Sequence, residues 1–161
     1  MLTTGAAATN IFLDILSASP EINLYETLRL EATSIFKSEA DWTSPAPMKN
    51  MTSTDSTIRE SLRMNTLQSR GLLKQVMAKD GIMLPDGTHV AQGTWLGVPV
   101  QAMQMDNRLY PNAHIYDPLR FTQLKTIAEA ESTDDPSAGK NLDAAQPSDK
   151  YLSFSYGRSS W

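Results

Sequence analysis

The stretch that decides the fold class of this 161-residue sequence lies at residues 79–98 and reads KDGIMLPDGTHVAQGTWLGV. Pro85-Asp86-Gly87 within it is a strong turn signal, because proline fixes its own φ and glycine accepts a positive one. Short apolar runs with the length of strands stand on both sides of this turn. The sequence therefore predicts a small β meander, with strands at residues 72–77, 82–84, 89–90 and 94–98.

Helical patterns extend outward from the meander. Residues 55–65 predict a helix, on which Glu60 and Arg63 lie three apart on one face. Upstream, residues 3–18 predict one helix and residues 20–37 a second, for which Ser19 is the N-cap and Pro20 the first helical residue. A break is predicted at residues 41–47, which hold two prolines, and a short helix at residues 100–106. The fold class is therefore α+β and mainly helical.

Composition narrows the range of functions. The net charge is only −4 and basic residues are scattered, so nucleic acid is not an expected partner. Cysteine is absent, which excludes disulfides, thiolate nucleophiles and cysteine metal sites. No apolar run is long enough to span a bilayer. The apolar N-terminus lacks a basic region and is interrupted by Asp14, so no signal peptide is predicted and the location of the chain stays unknown.

Residues 129–149 are polar, acidic and rich in turn formers. We expect them to form a flexible loop within one partial domain that covers residues 1–161. Trp95 is predicted to lie in the core. His89 lies beside the predicted turn and His114 in a polar Pro-Asn-Ala-His stretch, so both are predicted to be exposed.

Four segments, in order, resemble the cytochrome P-450 family. Residues 60–63 read ESLR and match the Glu-x-x-Arg signature of the helix that the family calls K. Residues 79–98 are similar to the small sheet that follows this helix. Residues 106–121 read DNRLYPNAHIYDPLRF and resemble the stretch with Tyr-Pro-Asn and Asp-x-x-Arg-Phe. Residues 154–161 read FSYGRSSW and resemble the haem-binding loop in its fungal form.

The resemblance implies a partial fold of this family: the end of helix I, helices J and K, the small β meander and the loop leading to the haem-binding segment. It also implies a structural triad in which Glu60 lies between Arg63 and Arg120. Such a cluster buries one carboxylate between two guanidiniums and locks helix to loop. The alternative for Glu60 and Arg63 alone is an exposed helical ion pair.

On the haem side, the resemblance assigns cofactor-binding roles to Phe154, Gly157 and Arg158. Trp161 occupies the position of the cysteine that ligates the iron. An indole N–H has no basic lone pair and cannot replace a thiolate. Thr3 or Thr4 corresponds to the oxygen-activating threonine; the alternative is that both simply cap free N–H groups at a helix start.

The function implied is that of a haem-dependent monooxygenase of fungal secondary-metabolite biosynthesis, which activates O₂ and oxidises a small hydrophobic metabolite. A complete parent would take electrons from an NADPH-cytochrome reductase and lie at the cytosolic face of the endoplasmic reticulum membrane. Without the cysteine and the N-terminal half, we expect this chain to be truncated and inactive. The alternatives are a non-enzymatic pseudogene remnant or interaction polypeptide without haem, and an unrelated small α+β domain.

Overall fold

The computed structural model describes residues 2–131, except 19 and 21, and residues 142–156. Six α-helices, one 3₁₀ segment and four short strands make up this described part. The helices are α1 (Leu2–Ser17), α2 (Leu24–Ile35), α3 (Pro45–Met48), α4 (Thr52–Met64), α5 (Val100–Gln104) and α6 (Arg120–Glu131), and the 3₁₀ segment is Glu39–Thr43. The strands are β1 (Gly71–Gln75), β2 (Ile82–Met83), β3 (His89–Val90) and β4 (Trp95–Val98).

Helix α4 is the centre of the molecule and packs against α1, α2, α5 and α6. Its sequence is largely polar, yet residues 56, 57 and 59–63 are all buried. Its first N–H groups are satisfied by a neighbouring helix: the carboxylate of Glu31 on α2 accepts from the amides of Ser53 (2.7 Å) and Thr54 (2.9 Å). Partial burial opposes ionisation, but these donors outweigh it and lower the pKa of Glu31. An anion thus anchors α2 to the start of α4.

The strands pair as two nested antiparallel ladders. β2 pairs with β3, with Ile82 opposite Val90, and β1 skips both to pair with β4. The predicted strands are present, but their pairing is nested rather than sequential, and a turn that ends at Gly81 (φ 71°) separates β1 from β2. Trp95 on β4 is 64% exposed, so the prediction that it lies in the core is wrong. No element in the described part of the chain covers its face.

Two predictions about helical segments differ from the structure, and one helix, α6, was not predicted. α2 begins at Leu24 instead of Pro20, because Asn23 takes a left-handed conformation (φ 45°) and closes a turn onto the carbonyl of Pro20. The predicted break at residues 41–47 holds most of the 3₁₀ segment and the start of α3, where the Ala46 amide donates to the Ser44 side chain. α6 extends to Glu131, into the segment for which a loop was expected. Residues 142–149, from the same segment, form no α-helix or strand, and the Ala144 amide among them donates to Asp55 of α4.

An aromatic cluster forms the core beside α4. The rings of Tyr110 and Phe121 meet edge to face at 6.2 Å, and Tyr151 meets Phe121 in the same way at 6.1 Å. Ala113 is fully buried between them and the loop that carries it. These contacts join α6, the loop before it and the C-terminal described segment into one packed unit. Among the described helices, none is both long and apolar enough to cross a membrane.

We expect the folded chain to lose stability at alkaline pH. Burial raises the pKa of Tyr110, Tyr116 and Tyr151 to about 12. Because an unfolded chain releases these protons near its ordinary pKa of about 10, it holds fewer protons than the folded chain between about pH 10 and about pH 12. The free energy of unfolding should therefore fall across this interval, as measured by urea denaturation and tyrosinate absorbance. Tyr151→Phe, which has one fewer buried phenol, should show a shallower fall; an unchanged slope would contradict this account.

Candidate functional site

The structure brings Glu60, Arg63 and Arg120 together in the interior. The Arg63 side chain binds Glu60 with two parallel bonds, from Nε to Oε2 (2.7 Å) and from Nη2 to Oε1 (2.8 Å). Nε of Arg120 approaches both carboxylate oxygens, at 3.1 and 3.2 Å. The Glu60 and Arg63 side chains have no solvent exposure, so they are not an exposed helical ion pair. One carboxylate lies between two guanidiniums, and the cluster carries one net positive charge.

The remaining donors of the two arginines bind the end of α5 and the loop between α5 and α6. Arg63 donates to the carbonyls of Gln104 and Ala113, and Arg120 to those of Pro111 and Ile115. The ring of Tyr110 lies 5.1 Å from the Arg63 guanidinium carbon. This extensive hydrogen bonding is the condition under which a buried charge cluster is tolerated. The triad therefore holds α4 and the loop between α5 and α6 in a fixed relative position.

An apolar cleft of about 480 Å³ lies on another side of α4. Ala7, Ala8 and Ile11 of α1 form one wall, and residues 152–155 form another. Its base is lined by residues of α4 and by the chain on either side of the β ladders: Ile58, Leu62, Thr66, Leu67, Gln68, Gly71, Leu72 and Val100. The cleft has the size and apolar lining of a site for a hydrophobic small molecule or cofactor.

The structure describes only some of the predicted cofactor-side residues. Thr4 and Phe154 both line the cleft, at its α1 wall and its C-terminal wall. Thr3 belongs to α1, but its side chain is not among those described. Gly157, Arg158 and Trp161 lie outside the described residues.

No described residue that lines the cleft is a histidine, cysteine, methionine or tyrosine. Within the described ranges there is also no group of three or more His, Cys, Asp or Glu side chains that could hold a metal ion. His89 is exposed, as predicted, and its Nε2 lies 2.8 Å from the Asp80 carbonyl oxygen; His114 is exposed as well. The described lining of the cleft is therefore mostly apolar and includes no side chain of the types that ligate haem iron.

Two polar contacts that hold the cleft walls were not anticipated from the sequence. Asn65, which ends α4, donates to Asp14 of α1 (2.8 Å), so Asp14 ties the two helices together. Burial raises the pKa of Asp14, against the hydrogen bonds from Ser61 and Asn65 that lower it. Ser153 donates to the Leu62 carbonyl (3.1 Å) and fixes the opposite wall to α4. No local pattern marks either pair, since their members lie 51 and 91 residues apart.

The buried cluster should dominate stability in a way that an exposed pair does not. Glu60→Gln removes the charge that two buried guanidiniums face and is expected to cost about 3–5 kcal/mol of unfolding free energy. Glu26→Gln is the matched control, because Glu26 also pairs with an arginine three residues on, Arg29, but in solvent. Its loss of unfolding free energy should be much smaller, because an ion pair in solvent contributes little to stability. Urea denaturation of both variants measures the difference; equal losses would contradict the assignment.

Comparisons with known proteins agree with this geometry. Residues 2–160 match the family model described as Cytochrome P450. The chain is 78% identical over 160 residues, 99% of its length, to the cytochrome P450 monooxygenase polB of Polytolypa hystricis, of which it covers 30%. It is 40% identical over 151 residues, 94% of its length, to the cytochrome P450 monooxygenase efuH of Hormonema carpetanum, of which it covers 26%. The chain thus spans about 30% of the length of these fungal relatives.

The fold has a counterpart among solved structures. The retinoic-acid-bound cyanobacterial CYP120A1 superimposes with a TM-score of 0.65 at 18% identity, over 98% of this chain and 30% of the other. At that identity the match concerns the fold alone, and it is the partial, mainly helical fold with a small antiparallel sheet that the sequence predicted. The family model, which matches nearly the whole chain, shows that this chain belongs to the cytochrome P450 family.

Proposed function

We propose that the chain is the haem-side segment of a fungal cytochrome P450 monooxygenase that oxidises a small hydrophobic secondary metabolite. The observation that carries this proposal is the apolar cleft between α1 and residues 152–155. The cleft is bounded by Thr4 and Phe154, two of the residues to which the family resemblance gives cofactor-side roles. Both walls are hydrogen-bonded to the region of the central helix α4, through Asn65 with Asp14 on one side and Ser153 with the Leu62 carbonyl on the other.

The mostly apolar lining of the cleft is the kind of surface that would face a haem macrocycle. Ala7 and Ala8 are small, so a flat group can lie close to α1, and Ile11 extends that surface. On the other side, Leu152 and Phe154 present apolar surface. Haem bound there would supply the chemistry of O₂ activation. The protein's part is to hold it between two apolar walls and to exclude water from its faces.

The donor set does not complete such a site. The 161-residue sequence contains no cysteine, and Trp161 stands at the position of the thiolate ligand. The thiolate is what favours O–O cleavage in this family, and an indole cannot supply it. We therefore propose that the chain with Trp161 does not catalyse monooxygenation, whatever its affinity for haem.

The cleft also has a hydroxyl at its α1 wall. Thr4 lines the cleft in the first turns of α1, where a hydroxyl can organise proton delivery. We assign the oxygen-activating role to Thr4 or to its neighbour Thr3. Gly157 and Arg158 keep the roles that the resemblance gives them, a tight turn and a contact to a haem propionate.

The whole protein's partners follow from the same proposal. Because the chain spans about 30% of its relatives, most of a complete enzyme lies outside it. For that enzyme we propose an NADPH-cytochrome reductase as electron donor and attachment at the cytosolic face of the endoplasmic reticulum membrane. The second candidate function is a non-enzymatic polypeptide that binds no haem. It is favoured by the amino-acid sequence, which contains no cysteine that could serve as the thiolate ligand.

The test is haem titration followed by a reduced carbon-monoxide difference spectrum. We expect Trp161→Cys to give a thiolate-type Soret band and the unaltered chain to give none. Trp95→Cys is the matched control, because it introduces the same side chain at an exposed position of β4 that does not line the cleft. It should behave like the unaltered chain. Absence of haem binding in all three would overturn the proposal and favour the second candidate.

A further inference from the structure

Arg59, the residue before the triad's carboxylate, has a different set of partners from the two triad arginines. It is 1% exposed, and its guanidinium carbon lies 3.8 Å from the ring centroid of Tyr151 and 4.8 Å from that of Phe121. Its Nη1 donates to the carbonyl of Gln146 (2.9 Å) and to that of Asp143. Arg59 therefore binds the backbone and rings of the C-terminal described segment.

Asp55 contacts the same turn with the opposite polarity. Both of its carboxylate oxygens accept from the amide of Ala144, at 3.0 and 2.9 Å. Asp55 and Arg59 lie four residues apart, so they share one face of α4. The Asp55 carboxylate accepts a hydrogen bond from the backbone N–H of the turn, and the Arg59 guanidinium donates to the carbonyls on either side of that N–H. We call this arrangement the α4 clasp: Asp55 and Arg59 on the turn of residues 143–146.

The turn lies upstream of the cleft wall. Residues 143–156 contain no helix or strand, so side-chain contacts rather than a backbone ladder hold them. Nine residues after Asp143, Leu152 begins the stretch that lines the cleft. Tyr151, whose ring lies on the Arg59 guanidinium, is fully buried and immediately precedes that stretch. The α4 clasp therefore contacts this segment at two places, the turn of residues 143–146 and Tyr151, which directly precedes the cleft wall.

We propose that Asp55 and Arg59 are positioning residues, which set the place of residues 152–155 and hence the affinity of the cleft for its ligand. That the ligand is haem rests on the proposed function; the positioning itself does not. The guanidinium is needed because it is planar: it stacks on a ring with its face while its edge donates to carbonyls. An ammonium keeps the charge but cannot make both contacts at once.

The first measurement is hydrogen–deuterium exchange of the full chain, with Arg59→Lys compared with the parent. We expect exchange at residues 143–156 to rise about tenfold, as the loss of one charge-assisted hydrogen bond predicts. Peptides of α2 should be unchanged. Arg29→Lys is the matched control, because Arg29 is an exposed arginine of α2 that pairs with Glu26. It should leave residues 143–156 as in the parent.

The second measurement is haem affinity in the Trp161→Cys background. Arg59→Lys and Asp55→Asn should each weaken binding, and methylguanidinium added to an Arg59→Ala variant should restore it where methylammonium does not. Unchanged exchange at residues 143–156 in Arg59→Lys overturns the proposal, as does a rise spread equally over α2. If Trp161→Cys binds no haem in any background, the proposed function is wrong. The exchange data at residues 143–156 then decide by themselves whether Asp55 and Arg59 position the segment.

Discussion

The carboxylate of Glu60 is the group on which the rest of the structure depends. It is fully buried, and a buried anion is tolerated only when cations and hydrogen-bond donors surround it. Arg63 supplies one guanidinium from the same helix and Arg120 the other from the start of α6. The amide of Asp117 adds a further donor (3.1 Å). Satisfying this one charge therefore fixes the loop between α5 and α6 and the position of α6 itself.

Helix α4 carries charge on several faces and uses it in two ways. Toward α6, charges pair with each other in the triad. Toward residues 143–151, Asp55 and Arg59 pair with the backbone and with aromatic rings. The face that carries Ile58 and Leu62 is left for the apolar cleft. A mostly polar helix can thus be the centre of the molecule, because its buried polar side chains are engaged by specific partners.

The sequence predicted the elements that carry local signals. The helix at α4, the helix at α1 and the strands about Pro85-Asp86-Gly87 follow from periodicity and turn chemistry. Arg120 was placed beside Glu60 only by the family resemblance, since nothing local links residues sixty apart. α6 escaped prediction because its sequence has no apolar stripe. The start of α2 at Leu24 depends on the left-handed Asn23, and a well-formed Ser-Pro-Glu start signal competed with it. Contacts such as Asp14 with Asn65 arise from packing, which propensity does not encode.

The triad also imposes an order of events in time. Glu60 and Arg63 are three residues apart, so their half of the cluster forms as soon as α4 turns into a helix. Arg120 arrives only when a sixty-residue stretch of chain closes on itself. The conformational entropy lost on closing such a loop grows only slowly with its length. This loss nevertheless comes before the stabilising contact can form. We therefore expect the carboxylate to stay half-paired and hydrated until this loop closes, which would make dehydration of the interior around α4 a late step of folding.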